Sequence, residues 1–249
     1  MKRKYEIAVL SKGGFARTVR IYVPKKADRA VIMHDGQNVF SDGEATFGKS
    51  WRAPEILKNA DIKNTAIIGV DSTNTRYDDY LPFPSALGDY DMPEIGGGKA
   101  DTYFDFIEQI LLPYLDKRFG FKRYALIGSS AGAIATLCFA LRKVPCVTAY
   151  GIFSTPLFVT RDKYAELLAN AEFDGNASYL VYVGGNETDD AAPPEKISDM
   201  YVDDAFSVVK GLRNGGAQKI KLRLENDGIH DEISWRKPES EFFIDFSKQ

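Results

Sequence analysis

Eight stretches of this chain are apolar enough to be strands, and they recur along its whole length: Tyr5–Val9, Thr18–Val23, Ala30–His34, Ala66–Val70, Tyr124–Ile127, Val147–Phe153, Tyr179–Val183 and Ile220–Leu224. The first two flank Gly13-Gly14 and read as an antiparallel hairpin. Most of the later ones are continuous apolar runs. Such runs suit strands covered by helices on both faces of a parallel sheet. Helical patterns fall between them. Behind Asp101, read as a cap, Phe104, Ile107, Leu111 and Leu115 recur at spacings of three and four. Pro113 lies inside that segment and predicts a kink or an early end. Ile197, Tyr201, Ala205, Val208 and Leu212 make a second apolar face, stopped by Asn214-Gly215-Gly216. A short terminal helix is expected from Glu239 to Phe246.

Strands alternating with helices predict an α/β fold, with a mostly parallel sheet of about eight strands flanked by helices on both faces. No repeat, low-complexity tract or linker interrupts the chain, so residues 1–249 read as one domain. The least regular stretch runs from Asp71 to Ala100. A loop of that length in a compact domain implies a function or disorder. Its Gly96-Gly97-Gly98-Lys99 resembles a phosphate loop only superficially, because no glycine precedes it at the required spacing and Ala100 follows the lysine. It reads as a turn feeding the next helix.

Composition narrows the classes. A chain of 249 residues with 44% hydrophobic and 27% charged residues can bury a sizeable core without staples. A net charge of −3 gives no reason to expect nucleic acid or an anionic membrane as partner. No apolar run approaches bilayer length, and no signal-peptide core follows the basic start, so a cytoplasmic location is expected. Cys138 and Cys146 lack the spacing and nearby histidines of a zinc site and read as buried small hydrophobes. No metal or cofactor is expected.

The candidate chemistry lies in Gly128-Ser129-Ser130-Ala131-Gly132, directly after one apolar run and before the helical stretch Ala131 to Leu141. Gly-x-Ser-x-Gly between a buried strand and a helix places the serine on a sharp, strained turn, with the helix N-terminus aimed at it. A serine hydroxyl needs a base. The chain has two histidines, and only His230 follows Ser130. The acid is expected after the strand Tyr179–Val183, where Glu187, Asp189 and Asp190 are candidates; Glu187 is closest to the strand end and is favoured. Asp231 is a poorer choice, because sequence neighbours rarely face each other. Two backbone N–H donors should hold an oxyanion: Ala131, and Gln37 from His34-Asp35-Gly36-Gln37-Asn38, where Gly36 would admit substrate closely. His34 then ends a strand and orients that loop. Arg76, Tyr80, Phe83 and Trp235 are candidate pocket residues, and Asp78, Asp79, Asp189, Asp190, Asp231 and Glu232 crowd the expected mouth, favouring a neutral or cationic substrate.

These residues resemble the putative-esterase group of the α/β-hydrolases, which includes esterase D (S-formylglutathione hydrolase), enterochelin esterases, and feruloyl and acetyl-xylan esterases. The resemblance spans most of the chain: His34 to Phe40 with Trp51, Ile67-Ile68-Gly69-Val70-Asp71, Arg76-Tyr77-Asp78-Asp79-Tyr80, Gly97 to Tyr103, and Pro113 to Phe119. In that group the acid commonly lies three residues after a strand-ending glycine, as Glu187 does after Gly184. The chain departs from the group at Ala133, where a second glycine is usual, and at Gly184-Gly185, where Gly-Thr is usual. The resemblance implies an α/β-hydrolase fold and a serine carboxylesterase that cleaves small-molecule esters through an acyl-enzyme. Acyl transfer on the same residues, or a non-catalytic binding protein on the same scaffold, are the alternatives.

Overall fold

Every apolar run becomes a strand in the computed structural model, which describes residues 5–85, 96–188 and 194–249. The strands are β1 (Glu6–Lys12), β2 (Phe15–Tyr22), β3 (Arg29–Met33), β4 (Thr65–Val70), β5 (Arg123–Ser129), β6 (Val147–Phe153), β7 (Ser178–Gly184) and β8 (Lys219–Glu225). They form one sheet in the order β1-β2-β4-β3-β5-β6-β7-β8. β1 and β2 make the expected antiparallel hairpin, and β2 is antiparallel to β4. All pairings from β4 through β8 are parallel.

The helices are α1 (Ala53–Asn59), α2 (Arg76–Tyr80), α3 (Ala100–Phe106), α4 (Leu112–Phe119), α5 (Ala131–Ala140), α6 (Arg161–Ala169), α7 (Pro194–Asn214) and α8 (Glu232–Ser247). Alternation along the buried strands divides the core between them. Ala30 and Ile32 of β3 join the layer containing α3 to α7, whereas Val31 and Met33 join the layer containing α1 and α8. That is why β3 to β7 are apolar on both faces along most of their length: successive side chains meet alternate helical layers. Helix α5 lies deepest, with all ten of its residues buried, and its sequence is apolar all round as a buried helix requires.

Three expectations change. Pro113 does not end its helix. A wider π-type turn, Ile107–Leu111, links α3 to α4, and Pro113 enters in the first turn of α4, where its missing N–H costs little. Asp101 is not the cap; Lys99 takes that position, and Asp101 pairs with Arg142. The terminal helix starts at Glu232 rather than Glu239. Asp231 caps it by accepting from Ser234 N–H, and Pro238 is buried inside it. In the irregular stretch, α2 forms, and Gly96-Gly97-Gly98 leads into α3 with all three glycines at positive φ.

Candidate active site

The carboxyl ends of the parallel strands bring the candidate residues to one edge of the sheet, where open α/β sheets bind ligands. Ser130 follows β5 with φ 56° and ψ −130°, a left-handed conformation that costs a non-glycine residue about 1–3 kcal/mol. Its N–H donates to the Phe153 carbonyl at 3.0 Å, tying the turn to β6. A Cβ on Gly128 would lie 2.5 Å from the Gly132 carbonyl carbon and 2.7 Å from the His34 ring, so only glycine lets strand and helix pass so closely. Among the described residues, the Ala131 N–H at the start of α5 has no partner.

Glu187, three residues beyond the end of β7, is buried. Its Oε1 accepts from the Gly184 N–H at 2.7 Å and from the Ser154 hydroxyl at 2.6 Å. Its Oε2 lies 2.7 Å from His230 Nδ1. The two loops meet because glycines let them. The Gly184 and Gly228 backbones lie back to back, and the Asn186 N–H donates to the Gly228 carbonyl at 2.9 Å. A Cβ on Gly185 would sit 2.6 Å from the Asn226 carbonyl oxygen, which accounts for Gly-Gly ahead of the acid. The His230 ring lies between Tyr201 and Trp235, with centroids at 5.0 and 5.2 Å. Among the described residues Ser130 Oγ makes no hydrogen bond to His230; such contacts tighten when substrate docks. Asp231 faces away, capping α8 and pairing with Lys49. Asp189 and Asp190 lie outside the described residues.

On the opposite flank, residues 34–38 form a tight turn after β3. Asp35 takes φ 54°, and Gly36–Asn38 make one 3₁₀ turn. Packing requires a glycine at position 36, since a Cβ there would lie 2.6 Å from the Gly69 carbonyl carbon. The turn packs on the start of α5, since a Cβ on Gly132 would be 3.3 Å from His34 Cβ. The Gln37 side chain is held by Ser72, donating to its hydroxyl at 2.7 Å and accepting from its N–H at 3.1 Å. The Gln37 backbone N–H has no partner among the described residues. His34 is buried with Nδ1 2.8 Å from the Tyr103 hydroxyl, and burial pushes its pKa down to about 4.

The four candidate pocket residues take supporting places. Arg76 grips Asp35 through two hydrogen bonds of 2.7 and 2.8 Å. Burial works to raise the Asp35 carboxyl, but Arg76 outweighs it and holds the group below its ordinary value. Tyr80 is buried, and its hydroxyl accepts from the Asp35 N–H. Phe83 packs edge-on against Tyr164 and borders a shallow cavity near Leu141 and Lys143, at the far end of α5 from Ser130. Trp235 is buried, stacks on Trp51, and donates its indole N–H to Ser154 Oγ at 2.9 Å. Of the acids expected at the mouth, Asp78 pairs with Lys99, Asp79 with Arg17 and Asp231 with Lys49, whereas Glu232 accepts from the uncharged Asn38 amide. Ser154 and Tyr103 escaped the sequence reading, since no local pattern marks a hydroxyl whose partners are all distant. Among the described residues no cluster of His, Cys, Asp or Glu could hold a metal ion, and no helix is long and apolar enough to cross a membrane.

No curated protein matches the sequence. Solved structures match its fold. An IroE-like serine hydrolase from Shewanella oneidensis aligns with a TM-score of 0.78 at 17% identity, over 98% of this chain and 80% of that one. Siderophore hydrolase EstA from Aspergillus nidulans aligns at 0.76 and 16% identity, over 99% and 95%. The enterobactin esterase FES from Shigella flexneri aligns at 0.72 and 15%, over 100% of this chain and 60% of that one. At such identities the likeness is one of fold, and the fold is that of the α/β-hydrolases. The model of the family Esterase, described as "Putative esterase", matches residues 14–205, and the chain therefore belongs to that family of carboxylic-ester hydrolases.

Proposed function

We propose that the chain hydrolyses small carboxylic esters through an acyl-enzyme, with Ser130 as nucleophile, His230 as base and Glu187 as acid. The observation that carries this reading is the 2.7 Å contact between His230 Nδ1 and a buried carboxylate, at the same sheet edge as the strained Ser130 turn. With its Nδ1–H donated to Glu187, the imidazole presents an unprotonated Nε2. That nitrogen takes the Ser130 proton as Oγ attacks the ester carbonyl. The developing oxyanion is met by the N–H groups of Gln37 and Ala131, both without partners among the described residues. The tetrahedral intermediate expels the alkoxide, which takes the proton from His230 and leaves as the alcohol. Water then attacks the acyl-enzyme by the same route, releasing the acid and restoring Ser130. Because similar folds include proteins named siderophore hydrolase and enterobactin esterase, siderophore esters belong beside simple acyl esters in the substrates to test.

A fluorophosphonate probe followed by peptide mass spectrometry tests the assignment. The expected result is a single adduct on Ser130, absent in Ser130→Ala. A wild-type protein that is not labelled, or is labelled elsewhere, overturns it. Added alcohols distinguish hydrolysis from acyl transfer by the product formed.

A further inference from the structure

Ser154 takes no part in the reaction as written, yet it occupies a demanding position. It directly follows β6, whose Phe153 pairs with Ser129 of the strand leading to the nucleophile and with Tyr182 of the strand leading to the acid. It is fully buried, at φ 50°. A glycine would adopt that φ without strain, so the backbone gives no reason for a side chain here. The hydroxyl does.

The direction of its hydrogen bonds is fixed by its partners. An indole N–H only donates and an ionised carboxylate only accepts. Ser154 Oγ therefore accepts from Trp235 Nε1 at 2.9 Å and gives its one proton to Glu187 Oε1 at 2.6 Å. With the Gly184 N–H also on Oε1, that oxygen is held by two donors, and Oε2 is left turned to His230. Trp235 acts twice, because the ring whose N–H reaches Ser154 also stands edge-on to His230 at 83°. We infer that Ser154 and Trp235 are positioning residues, which lock the Glu187 carboxyl in the one orientation that keeps His230 protonated on Nδ1 and open on Nε2. The consequence for rate rests on the esterase reading above; the consequence for the histidine does not.

The two histidines make this directly readable. With ¹⁵N-labelled histidine, ring-nitrogen spectra of wild type, Ser154→Gly and Trp235→Phe report the tautomer of His230, with His34 as internal reference. Wild type is expected to show one Nδ1–H tautomer, and Ser154→Gly a mixture of the two. On p-nitrophenyl butyrate, Ser154→Gly should lose about 10–100-fold in kcat, by analogy with the outer partners that orient metal-bound histidines. Its KM should stay within about threefold, since the hydroxyl does not touch substrate. Its Tm should fall modestly, because the relief of the backbone is offset by a buried Trp235 N–H left without its acceptor. Trp235→Phe keeps the aromatic packing but loses the donor; it should show the same shift in smaller degree, and it carries the comparison if Ser154→Gly does not fold. A folded Ser154→Gly protein that keeps the single Nδ1–H tautomer overturns the inference, whatever its rate. A wild type inactive on every ester overturns the esterase reading instead, and the tautomer spectra still decide the role of Ser154.

Discussion

The chain's two histidines hold hydrogen bonds of nearly equal length through Nδ1, 2.8 Å at His34 and 2.7 Å at His230, and their surroundings make them opposites. His34 is buried against Tyr80 and Tyr103, its partner is a phenol, and its Nε2 is buried without a partner among the described residues. Burial holds that ring neutral, with a pKa of about 4. His230 is 26% exposed at its side chain, and its partner is a carboxylate fixed by two other donors. A carboxylate stabilises an imidazolium that forms during turnover; a phenol in a dry pocket does not. On the proposed mechanism, partner and access, rather than residue type or bond length, separate the base from a structural ring.

The comparison is broken most severely at the base. His230→Asn should lower kcat/KM by about 10⁴–10⁶-fold with little change in Tm. Glu187→Gln, which leaves the shape but favours the wrong tautomer, should cost about 10⁴-fold. His34→Asn should do the reverse, lowering Tm while kcat/KM stays within about tenfold of wild type. If steady-state kinetics and thermal melts show the two histidine variants losing activity alike, the contrast fails.

A pH titration sharpens it. The unfolded His34 titrates near 6.5 and the folded one near 4, so between those values the unfolded chain binds the proton more readily. Stability from this residue is complete above about pH 6.5 and falls as the pH drops toward 4, by about 3 kcal/mol in all. Denaturant midpoints across that range should fall less steeply for His34→Asn than for wild type.

A smaller effect is expected at Glu239, which sets a second buried glutamate against Glu187. Both its carboxyl oxygens are buried without partners among the described residues, and burial raises its pKa well above the ordinary value. Here the sign reverses: the folded state holds the proton more tightly, so stability is complete at low pH and is lost as the pH rises through the raised value. Glu239→Leu should raise Tm by a few degrees at pH 8 and leave kcat/KM unchanged. An unchanged or lower Tm would mean that Glu239 has a partner.

The strands were legible because a parallel strand between two helical layers buries both its faces, and β3 to β7 carry that mark as largely apolar runs. Helix ends were less so. Pro113 read as a kink or an end, but it enters the first turn of α4, and the terminal helix, expected from Glu239, starts at Glu232 behind its cap Asp231 with Pro238 absorbed inside it. Of the candidate site, Ser130 and His230 stood out by motif, order and scarcity, and the spacing from Gly184 singled out Glu187. What holds Glu187 was not legible. Ser154 meets Trp235 and Glu187 only once β6, β7 and α8 are assembled, and a serine after a strand carries no local signature. The packing constraint on Gly36 was hidden for the same reason, because it comes from Gly69 on another strand.

The most direct test of the central claim compares kcat/KM on p-nitrophenyl esters for wild type, Ser130→Ala, His230→Asn and the double variant. Residues acting as one unit lose their effect together. The account predicts that each single variant falls by about 10⁴-fold or more and that the double variant falls no further than about tenfold beyond them. A single variant that keeps wild-type activity, or a double variant whose loss is the product of the two single losses, would contradict it.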